Sequence, residues 1–285
     1  MRALTAALLL SLLLSGCASD GPASTPTPTP PASVEIVDVH GLALDPTDAS
    51  ILYVATHRGL LRLDGGGWSY VGEARDDFMG FSAHPSDPRV FWASGHPRSG
   101  GNLGILRSDD GGITWRRIAL EGVDAHAMAV SQADPQRLYV SWRGEVLRSD
   151  DGGATWAARS RLPVAGFATH PTERDVVLAA TGRGLYRSVD GGDGWQALGD
   201  VPTLGVAFDP TAPTTLYAGT ATGILRSVDD GRTWTPLALP HAGAFAHFAT
   251  HAQTPGLLYA ASYQKGIYRS GDGGATWSVV LPPPS

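Results

Sequence analysis

The sequence contains almost no cysteine, no long apolar run and no basic stretch. A single cysteine among 285 residues, Cys17, excludes intramolecular disulfide bonds and metal sites built from several thiolates. The apolar segment at the start of the chain, residues 3–14, is too short to cross a bilayer as a helix. A formal net charge of −6 without clustered lysine or arginine argues against nucleic acid as a partner.

The first residues have the pattern of an export signal. A charged start at Arg2 precedes the apolar segment, and small residues lead up to Cys17. The segment resembles a bacterial lipoprotein signal, which implies a signal peptide over residues 1–16 and lipidation of Cys17. A cysteine present there by chance is the alternative. We therefore expect an extracytoplasmic protein, anchored through its lipid to the cell membrane or the outer membrane.

The remainder of the chain divides into a linker and one large domain. Residues 17–33 are mostly proline, threonine, serine and alanine, a composition that cannot form a core and should stay extended. Residues 34–285 are long enough for one large all-β domain, and 36 glycines in the chain suit many tight turns. We expect this domain to be a monomer.

One short motif returns along the domain at nearly constant intervals. It reads Ser-Asp-Asp-Gly-Gly-Ile-Thr-Trp at Ser108–Trp115, and a degenerate copy occupies residues 63–68. Close copies start at four further serines: Ser149, Ser188, Ser227 and Ser270. The steps between successive serines are 41, 39, 39 and 43 residues, a spacing typical of propeller blades or solenoid turns.

These copies match Ser-x-Asp-x-Gly-x-Thr-Trp, the pattern of the Asp-box or BNR repeat, and the resemblance covers residues 42–280. It implies a β-propeller similar to those of sialidases, sortilin-type receptors and photosystem-assembly factors, without implying one activity. Each unit contains four short segments separated by turn signals, which predict a four-stranded antiparallel sheet. Six units are complete, so we predict an all-β, six-bladed propeller. Residues 34–37 could close the ring against the last blade or begin a seventh, partial blade.

Elementary chemistry favours a structural role for the repeated motif. Its aspartate can accept hydrogen bonds from amides of its own turn, its glycine supplies a positive φ, and its hydroxyl residues tie the turn together. The tryptophan can pack its indole between neighbouring sheets. A calcium loop is the alternative, but the bidentate glutamate of an EF-hand is missing.

The repeats also reveal positions at which the blades differ. At the start of the first strand and after the second strand, blades one to three carry polar residues where blades four to six carry mostly small or apolar ones. These polar residues are Asp38, His40, His57, Asp77, Met79, His96, Asp124, His126 and Arg143. Alternate residues of a strand share a face, so each aspartate should lie beside the histidine or methionine two residues later. The inner strands should bring all of them to one mouth of the central channel.

Two chemistries could use this polar set. Imidazoles with carboxylates can hold a metal ion, and a thioether would favour copper over zinc or calcium. The candidate ligands are His40, His57, Met79, His96 and His126. Alternatively, Asp38, Asp77 or Asp124 could act as general acid and base on a glycosidic bond. The polar groups could also simply satisfy one another and stabilise the inner strands.

Further residues can line the same mouth. The candidate ligand-binding residues are Arg58, Arg98, Trp142, Arg143 and Tyr263, of which the aromatic ones could stack on a sugar ring. The loop at 95–102 is enlarged in blade two and is a candidate lid. Sialidase chemistry does not carry over from the resemblance, because the Phe-Arg-Ile-Pro motif and an assignable tyrosine–glutamate pair are both missing.

The sequence thus predicts a lipid-anchored propeller that binds a carbohydrate or protein ligand at the mouth formed by blades one to three, with copper or zinc as the candidate cofactor. A glycoside hydrolase of the sialidase-like superfamily, using the same carboxylates, is one alternative. An interaction scaffold in envelope assembly, similar to the photosystem-assembly branch, is the other.

Overall fold

The computed structural model describes residue 36 and residues 38–263 and 266–281. The signal peptide, Cys17 and the linker that the sequence predicts lie outside these residues, as does the segment 34–37 apart from Ile36. Within the described part, the chain forms twenty-four strands and no helix. Accordingly, no described helix has the length and apolar composition that crossing a bilayer requires.

Each blade is a sheet of four strands that follow one another in sequence. Blade one contains β1 (Val39–Leu44), β2 (Leu52–Thr56), β3 (Gly59–Asp64) and β4 (Gly67–Tyr70). Blade two contains β5 (Asp77–Ala83), β6 (Phe91–His96), β7 (Ile105–Ser108) and β8 (Arg116–Ala119). Blade three contains β9 (Ala127–Val130), β10 (Leu138–Trp142), β11 (Glu145–Ser149) and β12 (Ala157–Arg161).

The second half of the ring repeats this arrangement. Blade four contains β13 (Gly166–Thr169), β14 (Val177–Thr181), β15 (Gly184–Ser188) and β16 (Gln196–Ala197). Blade five contains β17 (Gly205–Phe208), β18 (Leu216–Gly219), β19 (Ile224–Ser227) and β20 (Thr235–Pro236). Blade six contains β21 (Phe245–Thr250), β22 (Leu258–Ser262), β23 (Ile267–Ser270) and β24 (Ser278–Leu281). All pairs are antiparallel, so the predicted six-bladed propeller of four-stranded blades is confirmed.

The repeated motif forms the turn between the third and fourth strands of blades two to six. In blade two, Asp110 Oδ1 accepts hydrogen bonds from the Thr114 amide at 2.9 Å and from the Ser108 hydroxyl at 2.8 Å, while Oδ2 accepts one from the Thr114 hydroxyl at 2.6 Å. The same bonds recur in blades three, five and six. Both carboxylate oxygens therefore serve the turn itself, which confirms the structural interpretation.

Residues of one blade also bond to the motif turn of the next. The Trp92 indole donates to the Gly152 carbonyl at 3.0 Å, and the Arg148 guanidinium donates to the Gly191 carbonyl at 2.9 Å. In the same way, Arg187 of blade four forms an ion pair with Asp230 in the motif turn of blade five. Arg148 and Arg187 thus belong to the scaffold, and an arginine occupies the same register position in the other blades.

The core is divided into six apolar clusters, one at each boundary between neighbouring blades. Large side chains such as Trp92, Tyr139 and Phe91 are almost completely buried there. The innermost strands approach one another so closely that a Cβ on Gly205 would lie 1.8 Å from the Ala246 carbonyl oxygen. Small residues are therefore needed along the channel.

Candidate functional site

The polar residues that distinguish blades one to three lie at one mouth of the ring. This mouth is where the innermost strands begin and the second strands end, and it is opposite to the mouth that carries the motif turns. In blade two, for example, Asp77 at the start of β5 is the register partner of His96 at the end of β6. The structure separates the polar residues into two groups rather than one cluster.

The first group contains Asp38, His40, His57 and Asp77. His57 is its centre, with Nδ1 2.7 Å from Oδ2 of Asp77 in the next blade. The Nε2 atom of His57 lies 3.2 Å from His40 Nε2 and 3.2 Å from Asp38 Oδ2. One ligand atom from each of His40, His57 and Asp77 can be chosen so that all three lie within 4.8 Å of one another, which is close enough to share an ion.

The second group contains His96, Asp124 and His126 and lies between blades two and three. Oδ2 of Asp124 is 2.7 Å from His126 Nε2 and 3.3 Å from His96 Nε2. On the far side of its ring, His96 places Nδ1 3.0 Å from the Gly101 carbonyl oxygen. Ligand atoms of the three residues again lie within 4.8 Å of one another.

Hydrogen-bond chemistry fixes where the protons of His57 and His96 belong. An imidazole nitrogen that faces a carbonyl or a carboxylate oxygen has to be the N–H donor, which assigns a proton to Nδ1 of both rings. In the neutral ring Nε2 then carries a lone pair, yet in both groups this atom faces a carboxylate oxygen. A nitrogen lone pair and a carboxylate oxygen repel each other at this distance. Each contact therefore requires either a second proton on Nε2 or a metal cation between the two facing atoms.

A second observation points in the same direction. Oδ1 of Asp77 and Oδ1 of Asp124 are both buried and have no hydrogen-bond partner among the described residues. The two aspartates occupy equivalent positions before the first strands of blades two and three. A buried carboxylate oxygen without a partner is costly unless a positive charge or a donor compensates it.

The electrostatic setting keeps one ligand candidate neutral. Burial lowers the pKa of His40, and the charge of His57 lowers it further, while Asp77 and Asp38 act in the opposite direction. His126 of the second group also lowers the pKa of His40. The two groups are therefore close enough to interact electrostatically across the mouth.

The expected pairing of each aspartate with the residue two positions later is correct in one blade only. Asp124 does contact His126, but Asp38 and Asp77 both contact His57 instead. The reason is a β-bulge in each of blades one and two, at 39–41 and 78–80, which breaks the alternation of side chains. Met79 lies within the second bulge and stays a predicted ligand.

The predicted ligand-binding residues surround this mouth. Arg58, Arg98 and Arg143 are exposed, and Tyr263 is 50% exposed. The guanidinium of Arg143 covers the ring of Trp142 at 4.5 Å, so that ring already has one stacking partner. Tyr263 is the second predicted aromatic residue, and its ring centre is 6.3 Å from the ring centre of His247. The roles of these residues in binding stay predictions.

The enlarged loop of blade two runs from the end of β6 to the start of β7. It closes on itself through hydrogen bonds from the Gly100 amide to the Pro97 carbonyl and from the Leu103 amide to the Gly95 carbonyl. Because its Gly101 carbonyl accepts the proton of His96, the loop orients one member of the second group. The loop therefore supports the site, in addition to being a candidate lid.

Sequence reasoning missed His247, on β21 of blade six. Although part of the residue reaches solvent, its Nε2 atom is buried and has no hydrogen-bond partner among the described residues. Burial lowers the pKa of His247 to about 3, and His40 contributes to the same shift. The register aligns this position with glycine or alanine in the other blades: Gly41, Gly80, Ala127, Gly166 and Gly205. A large polar residue at a position that is glycine or alanine in the other five blades is the signal by which the sequence could have indicated His247.

The opposite mouth contains a cavity of about 220 Å³. Turns between the first and second strands surround it, including those at Pro46, Pro85 and Pro171. Its histidines serve these turns, as when His84 Nδ1 accepts the Asp87 amide at 3.0 Å. Among the described residues, no aspartate, glutamate, lysine or arginine lines this cavity, whereas the predicted site residues lie at the other mouth.

Comparison with known proteins agrees with this architecture. The family model described as BNR/Asp-box repeat matches residues 106–117. A sequence search of curated proteins finds no match. Among similar solved structures, the GH74 xyloglucanase from Xanthomonas campestris is 21% identical, with 86% of this chain and 45% of that chain covered and a TM-score of 0.60. The chain therefore spans less than half the length of that enzyme.

Two further structures match over most of both chains. A gluconolactonase from Xanthomonas campestris is 15% identical, with 87% of each chain covered and a TM-score of 0.65. YCF48 bound to D1 peptide is 19% identical, with 86% of this chain and 82% of that chain covered and a TM-score of 0.54. At these identities the similarity shows the propeller fold and nothing about activity.

Proposed function

We propose that this Asp-box propeller is an extracytoplasmic protein, lipid-anchored through Cys17, that holds divalent transition-metal ions at the mouth of blades one to three and binds its ligand there. The observation that supports it best is that Nε2 of His57 faces Asp38 Oδ2 and Nε2 of His96 faces Asp124 Oδ2, although Nδ1 of each ring is already the N–H donor to another oxygen. The anchor rests on the sequence pattern alone. Loss of the protein from the membrane fraction in a Cys17→Ala variant tests it.

The distances suit a small ion with nitrogen and oxygen ligands. Bonds of about 2.0–2.1 Å at tetrahedral angles separate two ligand atoms by about 3.3 Å. The corresponding separations in the first group, from His57 Nε2 to His40 Nε2 and to Asp38 Oδ2, are both 3.2 Å. Imidazole and carboxylate together favour zinc or copper(II) over calcium.

Both groups also have the supporting contacts that metal-binding histidines need. Asp77 accepts the Nδ1 proton of His57, and the Gly101 carbonyl accepts that of His96. Such contacts fix the ring so that Nε2 points at the ion and make that nitrogen a better ligand. In the second group, three protein ligands would leave a position open for an oxygen or nitrogen atom of the bound ligand. Arg98 lies in the same loop as Gly101, and its exposed side chain is a candidate to hold a negatively charged part of a carbohydrate or protein.

A second proton on each histidine is the competing explanation. Protonated His57 would bridge Asp77 and Asp38, and protonated His96 would bridge the Gly101 carbonyl and Asp124. In that case the groups would satisfy one another and only stabilise the inner strands. Direct measurement of bound metal separates the two explanations.

The test is the metal content of the full chain after equilibration with zinc or copper(II) and removal of free ion. We expect wild type to retain about two equivalents, and Asp38→Asn and Asp124→Asn, which each remove a proposed ligand charge, each to retain about one fewer. His84→Asn at the opposite mouth is the matched control, since asparagine suits a turn position. A wild-type protein that retains no metal, or an equal loss in His84→Asn, contradicts the proposal.

Glycoside hydrolysis is the second candidate, because the similar xyloglucanase is a hydrolase and three carboxylates lie at the mouth. Each of these carboxylates, however, accepts a contact from histidine, whereas a general acid must donate a proton. Turnover of xyloglucan or aryl glycosides that survives removal of metal and disappears in Asp124→Asn would favour this candidate. No turnover on any substrate would count against it.

Peptide binding in an assembly role is the third candidate, since the similar YCF48 structure contains a D1 peptide. It predicts that a partner peptide contacts the exposed rim around Arg143 and Tyr263, and that its affinity does not change in Asp77→Asn and Asp124→Asn. A peptide affinity that depends on bound zinc would instead join this candidate to the metal proposal.

A further inference from the structure

The turns between the first and second strands surround the cavity at the mouth opposite to the polar groups. In blades one and five an aspartate holds this turn. Oδ1 of Asp45 accepts the Thr47 and Asp48 amides at 2.9 and 3.2 Å, and Oδ1 of Asp209 accepts the Thr211 amide at 2.9 Å. Such bonds from amides two or three residues later are a common way for aspartate to form a turn.

Histidine takes the place of this aspartate in blades two, four and six. The three residues are His84, His170 and His251, each directly after the last paired residue of its first strand. Nδ1 of His84 accepts the Asp87 amide at 3.0 Å, and Nδ1 of His170 accepts the Glu173 amide at 3.0 Å. Nδ1 of His251 likewise accepts an amide of its own turn at 3.3 Å. A nitrogen that accepts an amide proton carries a lone pair, so the ring proton lies on Nε2 in all three.

The surroundings of His84 favour this neutral form. Burial is the largest influence and lowers the pKa of His84, Asp87 of its own turn raises it, and Arg107 of β7 lowers it. The ring stacks on the indole of Trp92 from β6, with 6.1 Å between the ring centres. A proton on Nδ1 would therefore be poorly hydrated and would face an amide N–H at the same time.

His170 of blade four has a similar balance. Burial lowers its pKa most and Arg187 of β15 acts in the same direction, whereas Glu173 and Asp230 raise it. The ring packs edge-on against Phe208 of β17, with 5.1 Å between the ring centres. Nε2 lies 3.5 Å from Glu173 Oε1, which supports a proton on Nε2 and leaves Nδ1 as the acceptor.

We propose that His84 and His170 make the rim of the cavity acid-sensitive, because protonation of Nδ1 turns an acceptor into a donor and releases the turns at 84–87 and 170–173. The turns that use aspartate stay closed at the same pH, so the rim opens at alternate blades. A histidine whose folded pKa is depressed stabilises the fold above its unfolded pKa of about 6.5 and loses that contribution as the pH falls through the folded value. This switch does not depend on the proposed metal sites at the other mouth.

The experiment replaces both histidines by aspartate, the residue of blades one and five, and follows the melting temperature of the full chain in the presence of a metal chelator. Aspartate stays an acceptor throughout the window. The double variant His84→Asp/His170→Asp should therefore gain roughly 3 °C or more on wild type as the pH falls from about 7.5 to about 5.5. His241→Asp is the matched control, since His241 is exposed, and its difference from wild type should not change with pH. A constant difference for the double variant, or an equal gain in His241→Asp, overturns the proposal.

Nitrogen NMR of the unsubstituted chain gives a second measurement that does not require a variant to fold. We expect Nδ1 of both rings to lack a proton at neutral pH and to gain one on acidification. The amide signals of Asp87 and Glu173 should shift together with the rings, while the Asp48 amide, bonded to a carboxylate, should not. A proton on Nδ1 at neutral pH, or amides that do not follow the rings, contradicts the proposal.

Discussion

His57 of blade one donates its Nδ1 proton to Asp77 of blade two over 2.7 Å, and this hydrogen bond crosses the boundary between the blades. The same two positions one blade further along hold His96 and Asp124, whose closest atoms are 3.3 Å apart. At the next boundary the equivalent residues are Arg143 and Pro163, and the pairing ends. The polar mouth is therefore built from contacts between neighbouring blades, which occur at two successive boundaries and not at the third.

The aspartate of the motif turn should contribute measurably to stability. Asp110→Ala removes acceptors for the Thr114 amide and hydroxyl and for the Ser108 hydroxyl. We expect a loss of about 1 kcal/mol, as for other capping side chains. Asp109→Ala, one residue earlier, removes only an exposed pair with Arg107 and Arg116, and should cost about 0.5 kcal/mol or less. Equal effects in denaturant unfolding would contradict the assigned roles.

The inner strands should not tolerate an added methyl group at their closest approach. Gly205→Ala would place Cβ 1.8 Å from the Ala246 carbonyl oxygen, which requires the two strands to separate. We expect a loss of about 3 kcal/mol or failure to fold. Gly182→Ala is the control, because no atom lies within 4 Å of its added Cβ. Thermal unfolding measures both, and similar melting temperatures for the two variants would contradict the packing described for the channel.

An arginine that bonds to the next blade should matter more than one that does not. Arg187→Ala breaks a partly buried ion pair with Asp230, and we expect it to cost about 1 kcal/mol. Arg269→Ala removes the equivalent arginine of blade six, where its exposed side chain should contribute little. Comparison of the two variants by denaturant unfolding checks this order, and a larger effect at Arg269 would reverse it.

The motif turns should make the fold sensitive to acid in a defined window. Hydrogen bonds from threonine hydroxyls, above all, lower the pKa values of Asp151, Asp229 and Asp272 from 3.8 to about 2. A carboxyl group with a depressed folded-state pKa stabilises the fold above its unfolded pKa and loses that contribution as the pH falls through the folded value. Stability should therefore decline as the pH falls from about 4 to about 2.

The donor hydroxyl offers a direct check on this window. Thr233→Val removes the hydroxyl that bonds to Asp229, so the variant should be less stable at pH 5 and lose less on acidification. Thr235→Val on the exposed strand β20 is the control, and we expect it to follow wild type. If the melting temperatures of wild type and Thr233→Val fall by the same amount from pH 5 to pH 2, the assignment of the acid sensitivity to this hydrogen bond is wrong.

The thioether of Met79 can be tested separately from the imidazoles. Zinc prefers the nitrogen and oxygen ligands that both groups already contain, whereas copper(I) prefers sulfur. Met79→Leu keeps the volume and should leave zinc affinity unchanged. If Met79 is a ligand, the same variant should bind copper(I) less tightly in competition with a chromophoric chelator. Equal copper(I) affinity in both proteins would remove Met79 from the site.

The repeat made the fold readable from the sequence, and it also exposed the unusual blades. Five near-identical motifs define the register of every strand, so the number of blades and the place of Asp77, His96 and Asp124 at one mouth follow directly. The bulges in β1 and β5 depend on how neighbouring inner strands crowd the axis, which no local pattern contains. For that reason the partners of Asp38 and Asp77 were wrong, and the single cluster proved to be two groups.

His247 was missed for a different reason. At the start of its first strand blade six has a small residue, Ala246, and the bulge between Phe245 and His247 places the large polar residue one position further along. Only the register of β21 with β22 shows that His247 replaces a glycine or alanine. A side chain with an unpartnered buried nitrogen can be recognised only after the surrounding atoms are placed.

Because every sheet consists of four strands in sequence order, one segment of about 40 residues contains a whole blade. Duplication or loss of such a segment in the gene would add or remove a complete blade without separating any pair of bonded strands. Rings of different size are thus accessible by single genetic events. Among the described residues each sheet is built from one continuous segment, so a boundary between two blades could also serve as a new beginning and end of the chain.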